Sequence, residues 1–419
     1  MTQPPDAPVR VLHFADVHIG MENFGKLDSE SGVSQRVRDF LARFDEMVAY
    51  ARSHEADLVV FSGDAFKTST PSPTYQREFA HRIMDLAAFA PVILLIGNHD
   101  IQPNISKASS IEIYDTLAVP NVIVADDYDV FDVNTRRGRV VIGTAPYPIR
   151  SLLMQDESLR GLSIREVDEK LEGILTTLLK DLAERADKLA GVDVPRLLMA
   201  HFTVSGAVLG SERSVMLGRD VQVPLSLLAD DRWDYVALGH IHKHQNLTHD
   251  RLGAPPVVYS GSIERIDFGE EADDKGFCWL ELARHDTAWR FVPLSARPMV
   301  TLDADCTRDP HPTETLLKLI RTRDVRDAIV RVRVTLTTET EALLKDERVR
   351  EALRQAGAYH IASIKRDVHR PERTRLGISP EGLSQIQLLE KYLQSRESLS
   401  PERRARLMEL AKGILDGEA

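Results

Sequence analysis

The chain has almost no cysteine. Two residues in 419, Cys278 and Cys306, cannot build a disulfide framework or a thiolate zinc site, and their scarcity fits a reducing cytoplasm. Long hydrophobic runs are missing as well. The apolar stretches are strand-length, far short of the ~20 residues a bilayer crossing needs. Residues 1–10 are polar and Pro-rich, without the apolar segment of a secretory signal. An excess of positive charge is also lacking. The chain has 53 Lys+Arg and 64 Asp+Glu, a net charge of −11, which argues against a protein that coats nucleic acid indiscriminately. No internal repeat or low-complexity tract stands out. What remains is an ordinary globular composition, 43% hydrophobic and 28% charged, on a chain long enough for two or three domains.

The charge is unevenly spread. Residues 1–283 hold 28 Lys+Arg and 43 Asp+Glu, whereas residues 284–419 hold 25 and 21. An acidic first part tolerates a cation site, and a basic second part can touch phosphate.

Within the first part, residues 91–100 read P-V-I-L-L-I-G-N-H-D. The apolar run 92–96 predicts a strand buried on both faces. Gly97 stops the strand and lets the backbone turn. Asn98, His99 and Asp100 then fall at a sheet's C-terminal edge, where ligands of open α/β sheets bind. Other stretches repeat the pattern. A strand at 9–15 delivers Asp16 and His18, and one at 58–62 delivers Gly63 and Asp64. Strands at 195–200 and 235–238 deliver His201 and then Gly239, His240 and His242. Helices are expected at 34–52, through Tyr75, Phe79, Ile83 and Leu86, and at 163–190. The last opens on a Ser163/Glu166 capping box. Further strands are expected at 121–125, 140–144, 257–260 and 277–282. Alternating strands and helices up to about residue 285 argue an α/β domain.

Residues 297–368 read as a small separate α/β module. It has strands at 328–336 and 361–365 and helices at 313–322 and 341–356. A basic, Pro-containing linker follows at 366–377. The tail, 379–419, holds two helices opened by Ser379-Pro380-Glu381 and Ser400-Pro401-Glu402, a capping Ser before Pro and an acid. Their apolar faces are Ile386, Leu389 and Leu393, then Leu407, Leu410, Ala411 and Ile414. Two such helices bury no core alone and must dock on something else.

The strand-end residues Asp16, His18, Asp64, Asn98, His99, His201, His240 and His242 are oxygen and imidazole donors. That set suits a hard or borderline divalent ion. Eight exceed what one ion needs but suit two. Two dications ~4 Å apart repel by roughly 17 kcal/mol at an effective dielectric of 20, so an anion must bridge them. Asp64, on the central strand, is the natural bridge. The remaining histidines are expected to be bland: His13 in the core, His244 solvated, and the others at the surface.

These motifs, Asp16-x-His18, Gly63-Asp64, Gly97-Asn98-His99-Asp100, His201 and Gly239-His240-x-His242, resemble the calcineurin-like metallophosphoesterase superfamily. Within it, the chain resembles the SbcD-type DNA double-strand-break repair nucleases. Residues 11–20, V-L-H-F-A-D-V-H-I-G, are close to that family's opening. Ser260-Gly261-Ser262 and Lys275-Gly276 around an acidic stretch add to the likeness, as does the three-part layout. The resemblance implies a metallophosphoesterase β-sandwich flanked by helices over 1–285, a DNA-contacting cap over 297–368 and a helical segment over 379–419. It implies a first ion on Asp16, His18, Asp64 and His242 and a second on Asp64, Asn98, His201 and His240, with Mn²⁺ in both places. It implies that His99 is a catalytic non-ligand that stabilises the transition state or protonates the leaving oxygen. It further implies DNA ends and hairpins as substrate, a homodimer, and an SbcC-type coiled-coil ATPase bound through 379–419. Lys365, Arg366, Arg370, Arg373 and Arg375 are the expected DNA contacts of the cap. One position departs from the pattern. Lys67 stands where relatives often have His or Asp, and it can still hold a phosphate. The competing reading is a metallophosphatase or phosphodiesterase for a small phosphoester. A non-catalytic DNA-end scaffold fits less well, because no expected ligand is missing.

Overall fold

Short apolar runs become short buried strands. In chain order they are β1 (Val9–Phe14), β2 (Leu58–Phe61), β3 (Val92–Leu95), β4 (Val122–Ala125), β5 (Asp129–Thr135), β6 (Gly138–Ala145), β7 (Arg196–His201), β8 (Thr203–Val204), β9 (Gln222–Val223), β10 (Tyr235–Gly239), β11 (Gln245–Asn246), β12 (Val257–Tyr259), β13 (Gly276–Leu282) and β14 (Ala288–Pro293). The structure is a computed structural model, and it describes residues 7–28, 32–102, 107–149, 164–210, 221–370, 383–396 and 399–415.

Two six-stranded sheets form. One has the order β14-β13-β1-β2-β3-β4 and the other β11-β12-β10-β7-β6-β5. Strands β1 to β4 run parallel, with β13 closing antiparallel on β1. Strands β6, β7, β10 and β12 are likewise parallel, with β5 and β11 antiparallel at the edges. Strands with both faces covered have no polar side, which is why the central ones read as continuous apolar runs.

Val11, Val60, Ile93, Ile142, Met199 and Ala237 belong to one buried cluster drawn from both sheets, so the sheets pack face to face. The outer face of the first sheet is covered by α1 (Gln35–Ser53), which buries Val37, Phe40, Phe44 and Met47, and by α2 (Pro73–Ala87), which buries Phe79, Ile83 and Leu86. The outer face of the second carries helix Ile164–Ala190 through Leu171, Leu175, Leu179 and Leu182. The result is an α/β sandwich of two sheets flanked by helices. Ser34 and Ser72 cap α1 and α2 by accepting the Arg36 and Tyr75 N–H groups. The expected Ser163 cap lies outside the described residues. All the parallel strands send their C-terminal ends to one side of this sandwich, and that is where the polar strand-end residues sit.

Several expectations need correcting. The helix expected at 341–356 is two pieces, Thr338–Glu341 and Asp346–Gln355. Between them the Thr313 hydroxyl accepts the Lys345 N–H and donates to the Leu343 carbonyl, satisfying backbone groups a continuous helix would have used. The strand expected at 361–365 runs over His360–His369, so the first part of the expected linker is strand. The first tail helix is Gln385–Gln394, capped by Ser384 and Gln387. The proposed start at Ser379-Pro380-Glu381 lies outside the described residues, as do Arg373 and Arg375. The second tail helix, Pro401–Leu415, does begin as expected, with the Ser400 hydroxyl accepting the Arg403 N–H. His13 is fully buried, within 3.2 Å of the Tyr235 hydroxyl. His244 is not solvated: it stacks on Phe291 with ring centroids 4.1 Å apart and bonds the Tyr259 carbonyl at 2.9 Å.

The chain resolves into two compact units, one of Met1–Asp303, Leu317–Val332 and Asp346–Ile364, the other of Ala304–Leu316, Arg333–Lys345 and Lys365–Ala419. Among the described residues no helix is long and apolar enough to cross a membrane.

Candidate metal centre

The backbone is strained where the polar residues are. Asp16, His18, Asp64 and His240 all have positive φ, at 53°, 46°, 64° and 96°. Non-glycine residues avoid this region, and their clustering at one place marks a functional constraint. Gly63 and Gly97 answer the same crowding. A Cβ on Gly63 would lie 2.4 Å from His201 Nδ1, and one on Gly97 would lie 2.2 Å from Asp64 Oδ1. Gly97 is therefore required for space beside Asp64, rather than for a left-handed turn.

The donors converge on two neighbouring points. At the first, His18 Nε2 lies 3.1 Å from His242 Nε2. Ligand atoms of Asp16, His18 and His242 lie within 4.8 Å of one another. At the second, Asn98 Oδ1 lies 3.0 Å from His201 Nε2 and 2.9 Å from His240 Nδ1. Between them stands Asp64. Its Oδ2 is 3.7 Å from His18 Nε2 and 3.5 Å from His201 Nε2, while its Oδ1 accepts the His99 N–H at 2.8 Å. All of these residues except His99 and Asn98 are buried or nearly so.

Hydrogen bonds on the far sides fix the rings. His201 Nδ1–H donates to the Ser62 carbonyl at 2.6 Å, which aims Nε2 at Asn98 and Asp64. The His242 Nδ1 is 2.9 Å from Glu270 Oε1, which leaves Nε2 turned to His18. The Asp16 carboxylate accepts the His240 N–H at 3.0 Å and 3.2 Å. His99 Nδ1–H donates to the Lys67 carbonyl at 2.7 Å, and its ring sits edge-on to His18.

The electrostatics follow from burial and neighbours. Burial would raise the Asp64 carboxyl, but the imidazoles of His201, His99 and His18 outweigh it and hold the group ionised, well below the usual carboxylate range. Burial would lower His201, yet Asp64 outweighs it and raises the imidazole to about 9. Burial pushes His18 well down and Asp16 up. Two nitrogens 3.1 Å apart and a carboxylate oxygen flanked by two more form an array that protons satisfy only in part. Its donor set, carboxylate, amide oxygen and imidazole, fits two divalent cations sharing Asp64. Distance alone also groups His99 with His18 and Asp64.

Glu270 and Tyr147 were not singled out in the sequence, and Asp100 appeared there only as the end of its motif. Glu270, in the short helix Phe268–Glu270, is buried with Lys275, whose Nζ lies 2.9 Å from Glu270 Oε2 and donates to the His242 carbonyl. His242 and Lys275 together overcome burial and hold the Glu270 carboxyl at about 2. The only sequence signal was the acidic stretch before Lys275-Gly276, and it did not tell Glu270 from its acidic neighbours. Asp100 neither binds the site nor merely caps its turn. Its carboxylate accepts N–H groups from Gly97 at 3.0 Å, Asp64 at 2.9 Å and Ala65 at 3.1 Å, tying the β2 and β3 ends together. Tyr147 packs its ring 5.6 Å from that of His240 and 6.3 Å from that of His201.

The Lys67 side chain is exposed, and only its backbone carbonyl meets His99. Lys365, Arg366 and Arg370 belong to the other compact unit. Lys365 and Arg370 are exposed there, and Arg366 lies 3.8 Å from Glu341.

The chain matches the calcineurin-like phosphoesterase family over residues 9–244. It is similar to the DNA double-strand break repair protein Mre11 of Thermoplasma acidophilum, 24% identical over 319 residues, which are 75% of this chain and 73% of that protein. Among solved structures it is similar to a dimetal phosphatase from Danio rerio, at 14% identity and a TM-score of 0.37, over 69% of this chain and 100% of that one.

Proposed function

The chain belongs to the calcineurin-like phosphoesterase family of metal-dependent phosphoester hydrolases, and from that premise we propose that it is a two-metal DNA nuclease of the SbcD type acting at DNA ends. The observation that carries the two-metal part is Asp64, an ionised carboxylate with imidazole nitrogens 3.7 Å and 3.5 Å from one of its oxygens. The DNA part is supported by the likeness to a double-strand break repair protein over three quarters of the chain.

In this reading Asp16, His18, Asp64 and His242 hold one ion and Asp64, Asn98, His201 and His240 the other, with Mn²⁺ in both. Bound there, the ions supply Lewis acidity toward a phosphoryl oxygen and offset the charge that develops on it. The chain does the rest. Asp64 contributes its charge to both positions, and Asn98 contributes an oxygen without adding charge. Glu270 and the Ser62 carbonyl keep His242 and His201 in the tautomers that leave Nε2 available. His99, its Nδ1–H held by the Lys67 carbonyl, offers Nε2 as the atom that carries a proton to the departing alkoxide. Lys67, Lys365, Arg366 and Arg370 contact DNA phosphates, and residues 297–368 act as the cap. The protein works as a homodimer, with residues 379–419 holding an SbcC-type coiled-coil ATPase. The exposed Leu410 and Ile414, at 60% and 68%, support a partner for that tail.

Glu270→Gln is expected to weaken Mn²⁺ binding by about 10–100-fold in a metal titration. It also strands a buried Lys275, so the melting temperature should fall with it. Deleting residues 379–419 should abolish co-purification with the ATPase while sparing hydrolysis of an activated phosphodiester. Retained co-purification would remove the tail assignment. The decisive experiment is Mn²⁺-dependent digestion of end-labelled duplex DNA beside a panel of small phosphoesters. Preference for the small esters would favour the phosphatase reading, which the family motifs accommodate equally well.

A further inference from the structure

A cavity of about 320 Å³ lies against the candidate metal centre, and nothing so far uses it. The volume is at the small end of the ~300–1,000 Å³ range of ligand pockets. One wall is Ile96, next in sequence to Gly97 and Asn98. Another is Tyr147, the residue packed against the rings of His240 and His201. The Tyr147 N–H donates to the Ile96 carbonyl at 3.2 Å, tying the two walls together. Tyr128 and Pro146 line it further, and the Tyr128 hydroxyl donates to the Pro146 carbonyl at 3.2 Å.

The charged part of the lining is mostly acidic. Glu112, Asp126 and Asp127 line the cavity against a single cation, Lys107. Gln102 and Ser109 complete the polar lining.

We propose that this cavity receives a nucleobase carried by the phosphoester being cleaved, which deepens and rests on the reading that the substrate is nucleic acid. Two tyrosines among the lining residues, with Ile96 and Pro146, make the wall one that a flat aromatic ligand can pack against. Three carboxylates repel a phosphate and accept hydrogen bonds from exocyclic amino groups. A base therefore enters this cavity while its phosphate stays among the metal-ligating residues next door. Adenine, cytosine and guanine carry an amino group and should be preferred to thymine.

The test compares 4-nitrophenyl esters of 2′-deoxyadenosine 5′-phosphate, thymidine 5′-phosphate and methyl phosphate with the full chain and Mn²⁺. The deoxyadenosine ester should show a kcat/KM at least tenfold above the methyl ester, with thymidine between them. Ser109→Trp, which fills the cavity, should bring the deoxyadenosine-to-methyl ratio to within about twofold of one. Asp126→Lys, on the rim, should narrow the preference for deoxyadenosine over thymidine without threatening the fold. Equal rates for the three esters in the parent, or a ratio untouched by both variants, would overturn the proposal. Should neither the esters nor DNA be hydrolysed, the nuclease reading fails. Equilibrium dialysis of labelled 2′-deoxyadenosine then decides the cavity alone: retention by the parent and not by Ser109→Trp supports it, and equal retention or none overturns it.

Discussion

Asp64→Asn is expected to remove at least one bound ion per chain and to lower phosphodiester hydrolysis by at least a hundredfold. The substitution keeps the side chain's shape, so Oδ1 can still accept the His99 N–H and the β2 turn need not change. What it removes is charge. Two dications ~4 Å apart repel by roughly 17 kcal/mol at an effective dielectric of 20, and one unit of negative charge at that distance from a dication offsets about 8 kcal/mol. Even a third of that offset, about 3 kcal/mol, corresponds to a hundredfold in rate or affinity. The amide also puts an N–H group toward imidazoles that need lone pairs for a cation. Elemental analysis of the purified variant, paired with its rate on a phosphodiester, checks both halves. Full metal content with a rate within tenfold of the parent would show that Asp64 is not the bridge.

His99→Ser should lower hydrolysis by about 10²–10⁴-fold, the usual contribution of a positioned general acid, with metal content unchanged. The serine retains the backbone N–H that bonds Asp64, so the ligand turn keeps that support. The imidazole held by the Lys67 carbonyl is what disappears. Metal content matters because His99 is close enough to His18 and Asp64 to be grouped with them by distance. A variant that loses an ion along with its activity would make His99 a ligand. A variant that digests linear duplex at the parent rate would remove its role in proton transfer.

The residues of the site were legible because each follows a strand that the sequence advertises. An apolar run closed by Gly-Asp, Gly-Asn-His or Gly-His can be read directly, since burial on both faces removes the alternation that makes other strands ambiguous. β5 was harder to see. It lies at a sheet edge, alternates weakly, and appears as D-V-F-D-V-N-T. The break at 342–345 was not legible at all, because a hydroxyl some thirty residues away satisfies the backbone there.

The sequence by itself determined the donor inventory, the α/β order of the first 285 residues, and the scarcity of thiolate that restricts the site to oxygen and imidazole ligands. Only the tertiary structure decided how those donors meet. His18 and His242 are 224 positions apart and Asn98 and His240 are 142 apart, and no local pattern brings them within 3.1 Å and 2.9 Å. It takes two parallel sheets packed face to face, with their C-terminal ends on one side. The packing also picked Glu270 from a run of similar acids and made Asp100 a tie between two loops. It set Tyr147 between a cavity and the histidines. Donor chemistry is a property of the residue, while register, burial and approach are properties of the contacts that long-range packing creates.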